Sequence, residues 1–248
     1  MISRTASWEA APPEPTVREG ELHVWLLEAG REPPARGLLD VLSADEVERA
    51  GRFCFRRDRE RFVRARGVLR MLLGRYLGAD PARLRFRYTG YGKPVLGGEW
   101  EGSGVSFNLS HSHELILYAF ALGREVGVDV ERVRPEFAGE AIAARFFAAP
   151  EVEALRRTPA EARAVTFFSC WTRKEAYIKA RGEGLSLPLD GFAVTVDARA
   201  RDVTLDVFGD AGEGQRWTII SLPSPAGYVA ALAAEGHSRT LNCWRANI

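Results

Sequence analysis

At 248 residues the chain is long enough for one large domain or two of about 120, and either size can bury its own core. Hydrophobic residues make up 46% and charged residues 27%, with a formal net charge of +1. That composition excludes a collagen-like or disordered chain and supplies no global field to attract nucleic acid or an anionic membrane, so any anion site must be local. Cysteines 54, 170 and 243 are odd in number, widely spaced and without a CxxC pair, which argues against a disulfide framework or a zinc site. The longest apolar runs, 115–122 and 228–234, are too short to span a bilayer, and residues 1–15 lack the basic and apolar regions of a signal peptide. A reducing cytoplasm is the expected compartment.

Residues 1–20, with Pro12, Pro13 and Pro15 close together, are expected to form a mobile tail. Leu22 to Leu27 has the pattern of a short apolar strand, and Ser43 followed by Asp45 and Glu46 opens a helix in the manner of a capping box. A second helix is predicted from Arg56 to Leu77. It sets Phe62, Val63, Val68, Leu69, Leu72 and Leu73 against a face of eight arginines, whose mutual repulsion favours an anionic ligand or partner for a few of them. The stretch YTGYGKPVL, Tyr88 to Leu96, reads as a turn that displays Lys93. Val105 to Leu122 reads as two strands around a polar turn from Ser110 to Glu114, whose serines and histidines are either simple turn chemistry or hydroxyls and an imidazolium for a phosphate.

Val126 to Glu131 is a buried-type strand interrupted by Asp129 and Glu131. At i and i+2 these carboxylates share one face, ~7 Å apart by strand rise. They repel unless a cation lies between them, and oxygen ligands without His or Cys favour Mg²⁺; pairing with Arg132 or Arg134 is the alternative. The stretch from Phe167 to Leu189, FFSCWTRKEAYIKARGEGLSLPL, reads as an amphipathic helix ended by Gly182 and Gly184. Lys174 and Lys179 lie around Glu175 there, either as an i,i+4 surface pair or as a working face. Lysine occurs only at 93, 174 and 179 among 34 Lys plus Arg, and this scarcity favours a need for compact ammonium groups. A faint repeat joins SADEVER at Ser43 to AAPEVEA at Ala148, and the hairpin from Val105 to a gapless counterpart from Trp217 to Ala234. It predicts two similarly folded halves, residues 21–123 and 124–248, with Asp129, His111 and Glu175 near a cleft between them.

YGKP at 91–94, FNLSHS at 107–112, GVDVE at 127–131 and WTRKEAYIKARGEGLSLPL at 171–189, in this order, resemble the surfactin-type 4'-phosphopantetheinyl transferases. The resemblance covers roughly Arg49 to Leu189. It implies an α+β fold of two halves related by a pseudo-two-fold, with coenzyme A and Mg²⁺ (Mn²⁺ substituting) in the cleft between them. It also implies an activity: moving the phosphopantetheine arm of coenzyme A onto a serine of an acyl or peptidyl carrier protein, with release of adenosine 3',5'-bisphosphate. By resemblance, Asp129, Glu131 and Glu175 are the metal ligands, Glu175 is also the base toward the carrier serine, and Lys179 holds the pyrophosphate. Lys93, Ser110 and His111 match coenzyme A contacts, His111 toward the 3'-phosphate, and Arg49 and Arg61 match cationic nucleotide contacts. The resemblance implies carrier-protein activation for polyketide or nonribosomal peptide biosynthesis, while length and two halves in one chain suggest a monomer, and composition suggests a cytoplasmic protein without nucleic-acid or membrane partners. The competing readings are a Mg²⁺-dependent phosphatase or nuclease using the same carboxylates on water, and a nucleic-acid-binding module built on the arginine helix.

Overall fold

The computed structural model describes residues 3–4, 7–30, 36–137, 139–200 and 202–246. Its N-terminal half runs through strand β1 (Glu21–Glu28), helices α1 (Ala44–Gly51) and α2 (Arg56–Leu77), the hairpin β2 (Arg85–Tyr88) and β3 (Pro94–Gly97), and the hairpin β4 (Val105–Ser112) and β5 (Leu115–Leu122). The C-terminal half repeats this order with β6 (Val126–Arg132), α3 (Ala149–Arg157), α4 (Ala160–Arg181), β7 (Phe192–Val194) paired to β8 (Leu205–Val207), and β9 (Trp217–Leu222) joined to β10 (Tyr228–Glu235). Strand pairing is also repeated. β1 and β4 flank β5 antiparallel in one sheet, as β6 and β9 flank β10 in the other. The chain is therefore an α+β fold of two halves with one topology, as expected.

A last strand, β11 (Thr240–Arg245), returns to the first sheet and lies parallel to β1. Part of the expected N-terminal tail pairs with β11 in turn: Glu9–Ala10 lies parallel to Trp244 and Arg245, Pro15 and Val17 are buried, and the Trp8 indole donates to the Pro223 carbonyl at 3.1 Å. Within that tail, residues 1–2 and 5–6 lie outside the described residues.

Period-two alternation makes the layers. Leu22, Val24 and Leu26 of β1 and Leu115, Leu117 and Ala119 of β5 pack against Val126, Val128 and Val130 of β6 and Leu232 of β10, sheet on sheet. The opposite faces carry the helices: Trp25, Tyr118 and Phe120 meet Val68, Leu69 and Leu72 of α2, while Ile219, Ala231 and Ala233 join the cluster that holds Phe167, Phe168 and Tyr177 of α4. Among the described residues no helix is long and apolar enough to cross a membrane.

Each half locks its long helix with the same device. Glu46, at the third position of α1, accepts the Ser43 backbone N–H at 3.1 Å and Arg70 Nε of α2 at 2.6 Å through Oε2, and Arg66 Nε lies in ion-pair range of Oε1 at 3.0 Å. Glu151, at the third position of α3, accepts the Ala148 N–H at 2.8 Å and receives Lys174 Nζ of α4 at 2.6 Å. Arg66, Arg70 and Lys174 are all buried, so two of the eight arginines counted on α2 have an internal carboxylate and not a ligand as their anion. Losing one partner of such a pair costs about 3–5 kcal/mol because the other charge is left buried alone.

His23, buried under α2, bonds the Tyr76 hydroxyl at 2.9 Å through Nδ1. Burial lowers its pKa to about 4, against a partial raise by Glu21. Below its ordinary pKa of 6.5 the unfolded chain binds a proton that the folded chain refuses, so stability rises with pH between about 4 and 6.5 and is complete above that window. Urea unfolding at pH 4.5 and 7 is expected to show this loss, bounded by roughly 3 kcal/mol, and His23→Phe is expected to flatten that part of the profile.

Candidate active site

The two sheets meet along their edge strands, β4 and β6. The polar turn expected from Ser110 to Glu114 is only two residues long, because Ser112 still pairs with Leu115, and His113 occupies the left-handed region at φ 53°. Ser110, His111 and Ser112 are therefore strand residues, and alternation sends them to opposite sides. Toward β6, Asn108 Oδ1 accepts the Val128 N–H at 3.0 Å, Ser110 Oγ donates to Asp129 Oδ1 at 2.8 Å, and Ser112 Oγ donates to Glu131 Oε2 at 2.9 Å. Ser112 Oγ also accepts the Arg132 N–H at 3.1 Å. Neither Asn108 nor Ser112 stood out as a site residue in the sequence, although their period-two spacing with Ser110 is visible there.

Opposite this seam lies α4, drawn close by Gly127. A Cβ at that position would stand 2.2 Å from the Ala176 carbonyl oxygen and 2.3 Å from the Ala180 nitrogen, so no larger residue fits under the helix. Asp129 and Glu131, two and four residues on, consequently face α4 at a level where it carries Glu175 and Lys179. Of the two alternatives, the surface pair of Glu175 with Lys179 within the helix is not what forms: Lys179 Nζ crosses to Asp129 Oδ1 at 2.6 Å and Ser110 Oγ at 3.0 Å. At Asp129 the lysine supplies the neutralising charge and the serine a hydrogen bond. Lys174, expected beside Glu175 on the working face, instead points into the core toward Glu151 and the Phe192 carbonyl.

Three carboxylates thus share one half-buried patch, and their electrostatics record it. Burial and then the Asp129 carboxylate push the Glu131 carboxyl above its usual range, and burial and then Asp129 do the same to Glu175. Asp129 Oδ2 is buried with no hydrogen-bond partner. Among the described residues, no three His, Cys, Asp or Glu side chains are drawn together as tightly as ion ligands. The donor set still fits a hard divalent cation, being all oxygen, partly desolvated and holding one orphaned buried acceptor.

His111, on the other side of β4, opens onto a cavity of about 370 Å³ whose lining includes Arg49, Arg61, Arg66, Phe62 and Tyr88. Burial, then the nearby Arg61 and Lys179 charges, lowers the imidazole below its ordinary pKa, so it stands neutral at pH 7 in the free protein rather than as the expected imidazolium. Arg66 was missed as a lining residue because its spacing resembles that of any other arginine on α2. Lys93 is not displayed by its turn: its side chain is 9% exposed and its ammonium meets Glu125, Val126 and Ala180.

The closest-packed point of the site yields a stability prediction. Gly127→Ala is expected to destabilise the fold by roughly 3 kcal/mol or more, since backbone and not a flexible side chain blocks the methyl group. Urea unfolding of the variant measures it, and a loss under about 1 kcal/mol would mean that α4 is not held against β6 as described.

Comparison with known proteins identifies the family. The model of the 4'-phosphopantetheinyl transferase superfamily matches residues 125–233, and that of the 4'-phosphopantetheinyl transferase N-terminal region matches residues 34–121. The chain is 38% identical to the 4'-phosphopantetheinyl transferase HetI of Nostoc sp. over 98% of its own length and 99% of that protein. It is 31% identical to the 4'-phosphopantetheinyl transferase Sfp of Bacillus subtilis over 63% of this chain and 67% of Sfp, and 34% identical to psf-1 of Bacillus pumilus over 62% and 64%. Four ordered motifs, a repeated two-half topology and near full-length similarity therefore give one conclusion: this chain is an enzyme of the 4'-phosphopantetheinyl transferase superfamily.

Proposed function

We propose that the protein transfers the 4'-phosphopantetheine arm of coenzyme A to a serine of an apo acyl or peptidyl carrier protein and releases adenosine 3',5'-bisphosphate. The observation that carries this reading is the placement of two unlike subsites on the two faces of β4: a cationic cavity at His111 and Arg61, and a carboxylate patch with an ammonium at Asp129 and Lys179. A nucleotide diphosphate with an extra phosphate needs both. A phosphatase or nuclease would need only the second, and a nucleic-acid module only the arginines.

Asp129, Glu131 and Glu175 are the residues that would hold Mg²⁺. When bound, the ion would supply Lewis-acid neutralisation of the pyrophosphate oxygens. The protein's own groups do the rest. Lys179, fixed between Asp129 and Ser110, presents a point charge to the phosphates, and Arg61 adds a permanent positive charge beside the cavity. His111, neutral in the free protein, still has one ring N–H to donate to the 3'-phosphate, and a dianion there would favour its second proton. Glu175 takes the proton of the carrier serine directly or through one water. The serine oxygen attacks the β-phosphorus, the bond to the bridging oxygen breaks, and the nucleotide leaves with that oxygen.

Incubating apo carrier proteins with coenzyme A and Mg²⁺ tests the reaction. Mass spectrometry is expected to show a gain of roughly 340 Da on one serine, and phosphate release without that gain would favour the phosphatase reading.

Two substitutions test the subsites. Lys179→Arg is expected to fold with unchanged or higher thermal stability, since a guanidinium can also satisfy Asp129 Oδ2, yet to lose at least about tenfold in transfer rate because the bidentate pair removes the charge from the phosphate. Full activity would make the pair structural only. His111→Ala is expected to weaken coenzyme A more than dephospho-coenzyme A by calorimetry, the two ligands differing only in the phosphate that His111 is proposed to meet. Equal losses would remove His111 from the nucleotide site.

A further inference from the structure

Lys93 sits at the end of the β2–β3 turn, which is itself pinned: the Thr89 N–H donates to the Lys93 carbonyl at 2.9 Å, and the Lys93 N–H donates to Thr89 Oγ1 at 3.1 Å. From there the side chain leaves its own half. Its ammonium meets Glu125 Oε2 at 2.6 Å, the Ala180 carbonyl at 3.1 Å and the Val126 carbonyl at 3.3 Å, while its stem passes the cap glycine of α4, where a Cβ on Gly182 would lie 3.3 Å from Lys93 Cδ. An ammonium has three donors, and here each has an acceptor. One of them is a last-turn helix carbonyl, where a cation also complements the helix dipole. Reaching the nucleotide cavity would leave that carbonyl and Glu125 without it.

The two main-chain contacts are the informative ones. Ala180 follows Lys179 directly, and Val126 begins the strand that carries Asp129. A single cation thus ties together the end of α4 and the start of β6, the two segments whose spacing sets the Lys179–Asp129 contact. We propose that Lys93 is a positioning residue: it clamps the N-terminal half to both elements of the carboxylate patch and acts on the reaction by holding Lys179 and Asp129 in place, not by contacting the nucleotide with its ammonium. The proposal rests on the reading of Lys179 and Asp129 given above. Glu125, whose side chain is 48% exposed, serves as the outer anchor of the clamp and has no other role in that reading.

The test compares Lys93→Met and Glu125→Gln with the wild-type enzyme in steady-state transfer, coenzyme A calorimetry and hydrogen exchange. For a clamp, Lys93→Met is expected to lower kcat at least tenfold while Kd for coenzyme A changes less than about threefold, a misplacement effect and not a lost contact. Glu125→Gln is expected to lower kcat in the same direction by a smaller factor, and the double variant to be no slower than Lys93→Met alone. Exchange at the amides of 178–182 and 126–128 is expected to rise in both variants, a readout that does not require transfer to be the reaction. A tenfold rise in Kd with unchanged kcat in Lys93→Met, or a Glu125→Gln variant with wild-type kcat and exchange, would overturn the proposal. Should Lys93→Met fail to fold, the Glu125→Gln outcome decides. Loss of transfer in the wild-type enzyme would sink the functional reading while exchange still reports on the clamp.

Discussion

Everything at this site depends on how two sheet edges meet without pairing as strands. An exposed edge leaves main-chain and side-chain polar groups in need of partners, and β4 and β6 resolve this with a ladder of short side chains. Asn108, Ser110 and Ser112 project from β4 at every second residue, and each bonds the facing strand: the Val128 amide, the Asp129 carboxylate, and Glu131 with the Arg132 amide. Serine and asparagine suit the place because they reach one bond length across while filling little volume. The ladder also fixes β4 so that the residues between these rungs, Leu109 and His111, must face the arginine-lined cavity. One strand thereby coordinates the two subsites.

The repeat of the two halves explains why only one of them carries the carboxylates. Strand register equates positions: Trp25 of β1 lies opposite Tyr118, and Asp129 of β6 lies opposite Ala231, each beneath the long helix of its half. By the same register His23, Trp25 and Leu27 correspond to Gly127, Asp129 and Glu131. In the N-terminal half these positions are filled by rings and a leucine that pack against α2. In the C-terminal half the glycine lets α4 approach, and the next two positions turn acidic where a helix lysine can reach them. A packing surface in one copy has become a polar site in the other, at the level where the edge of the neighbouring sheet supplies hydroxyls. The gapless overlay of the two hairpins holds for the first strands only, since Phe107 and Ile219 both face their helices. The second connection is longer, 223–227 against 113–114, and shifts the counterpart of Phe120 to Ala233.

Charge accounting across the molecule separates structural cations from working ones. Arg66 and Arg70 answer Glu46, Lys174 answers Glu151, and Arg173 donates to the Thr195 and Ala200 carbonyls and to Ser221, all from buried positions. Arg49, Arg61 and Lys179, near the site, keep solvent access through which a phosphate could approach. Lysine scarcity has two explanations as a result. Lys174 is compact because it is sealed in a core beside Phe147 and Phe192, and Lys179 is compact because it bridges two oxygens a short distance away.

Much of this was legible in the residue order. The helix from Arg56 to Leu77, the helix through Lys179, although it begins at Ala160 and not at Phe167 as expected, the left-handed glycine that ends it, the paired carboxylates at i and i+2, and the repeat all follow from local spacing, because periodicity and caps are local physics. Motif order gave the family for the same reason: the chemistry needs certain side chains at fixed steps along one element. Direction is what the sequence did not contain. Whether Lys174 or Lys179 faces the site, which arginines are internal and where Lys93 points each depend on partners remote in the chain, as far as 87 residues from Lys93 to Ala180. Those choices belong to tertiary structure, since a buried charge takes the orientation in which its counter-ion and hydrogen bonds are complete, and only the folded chain brings the partner within reach.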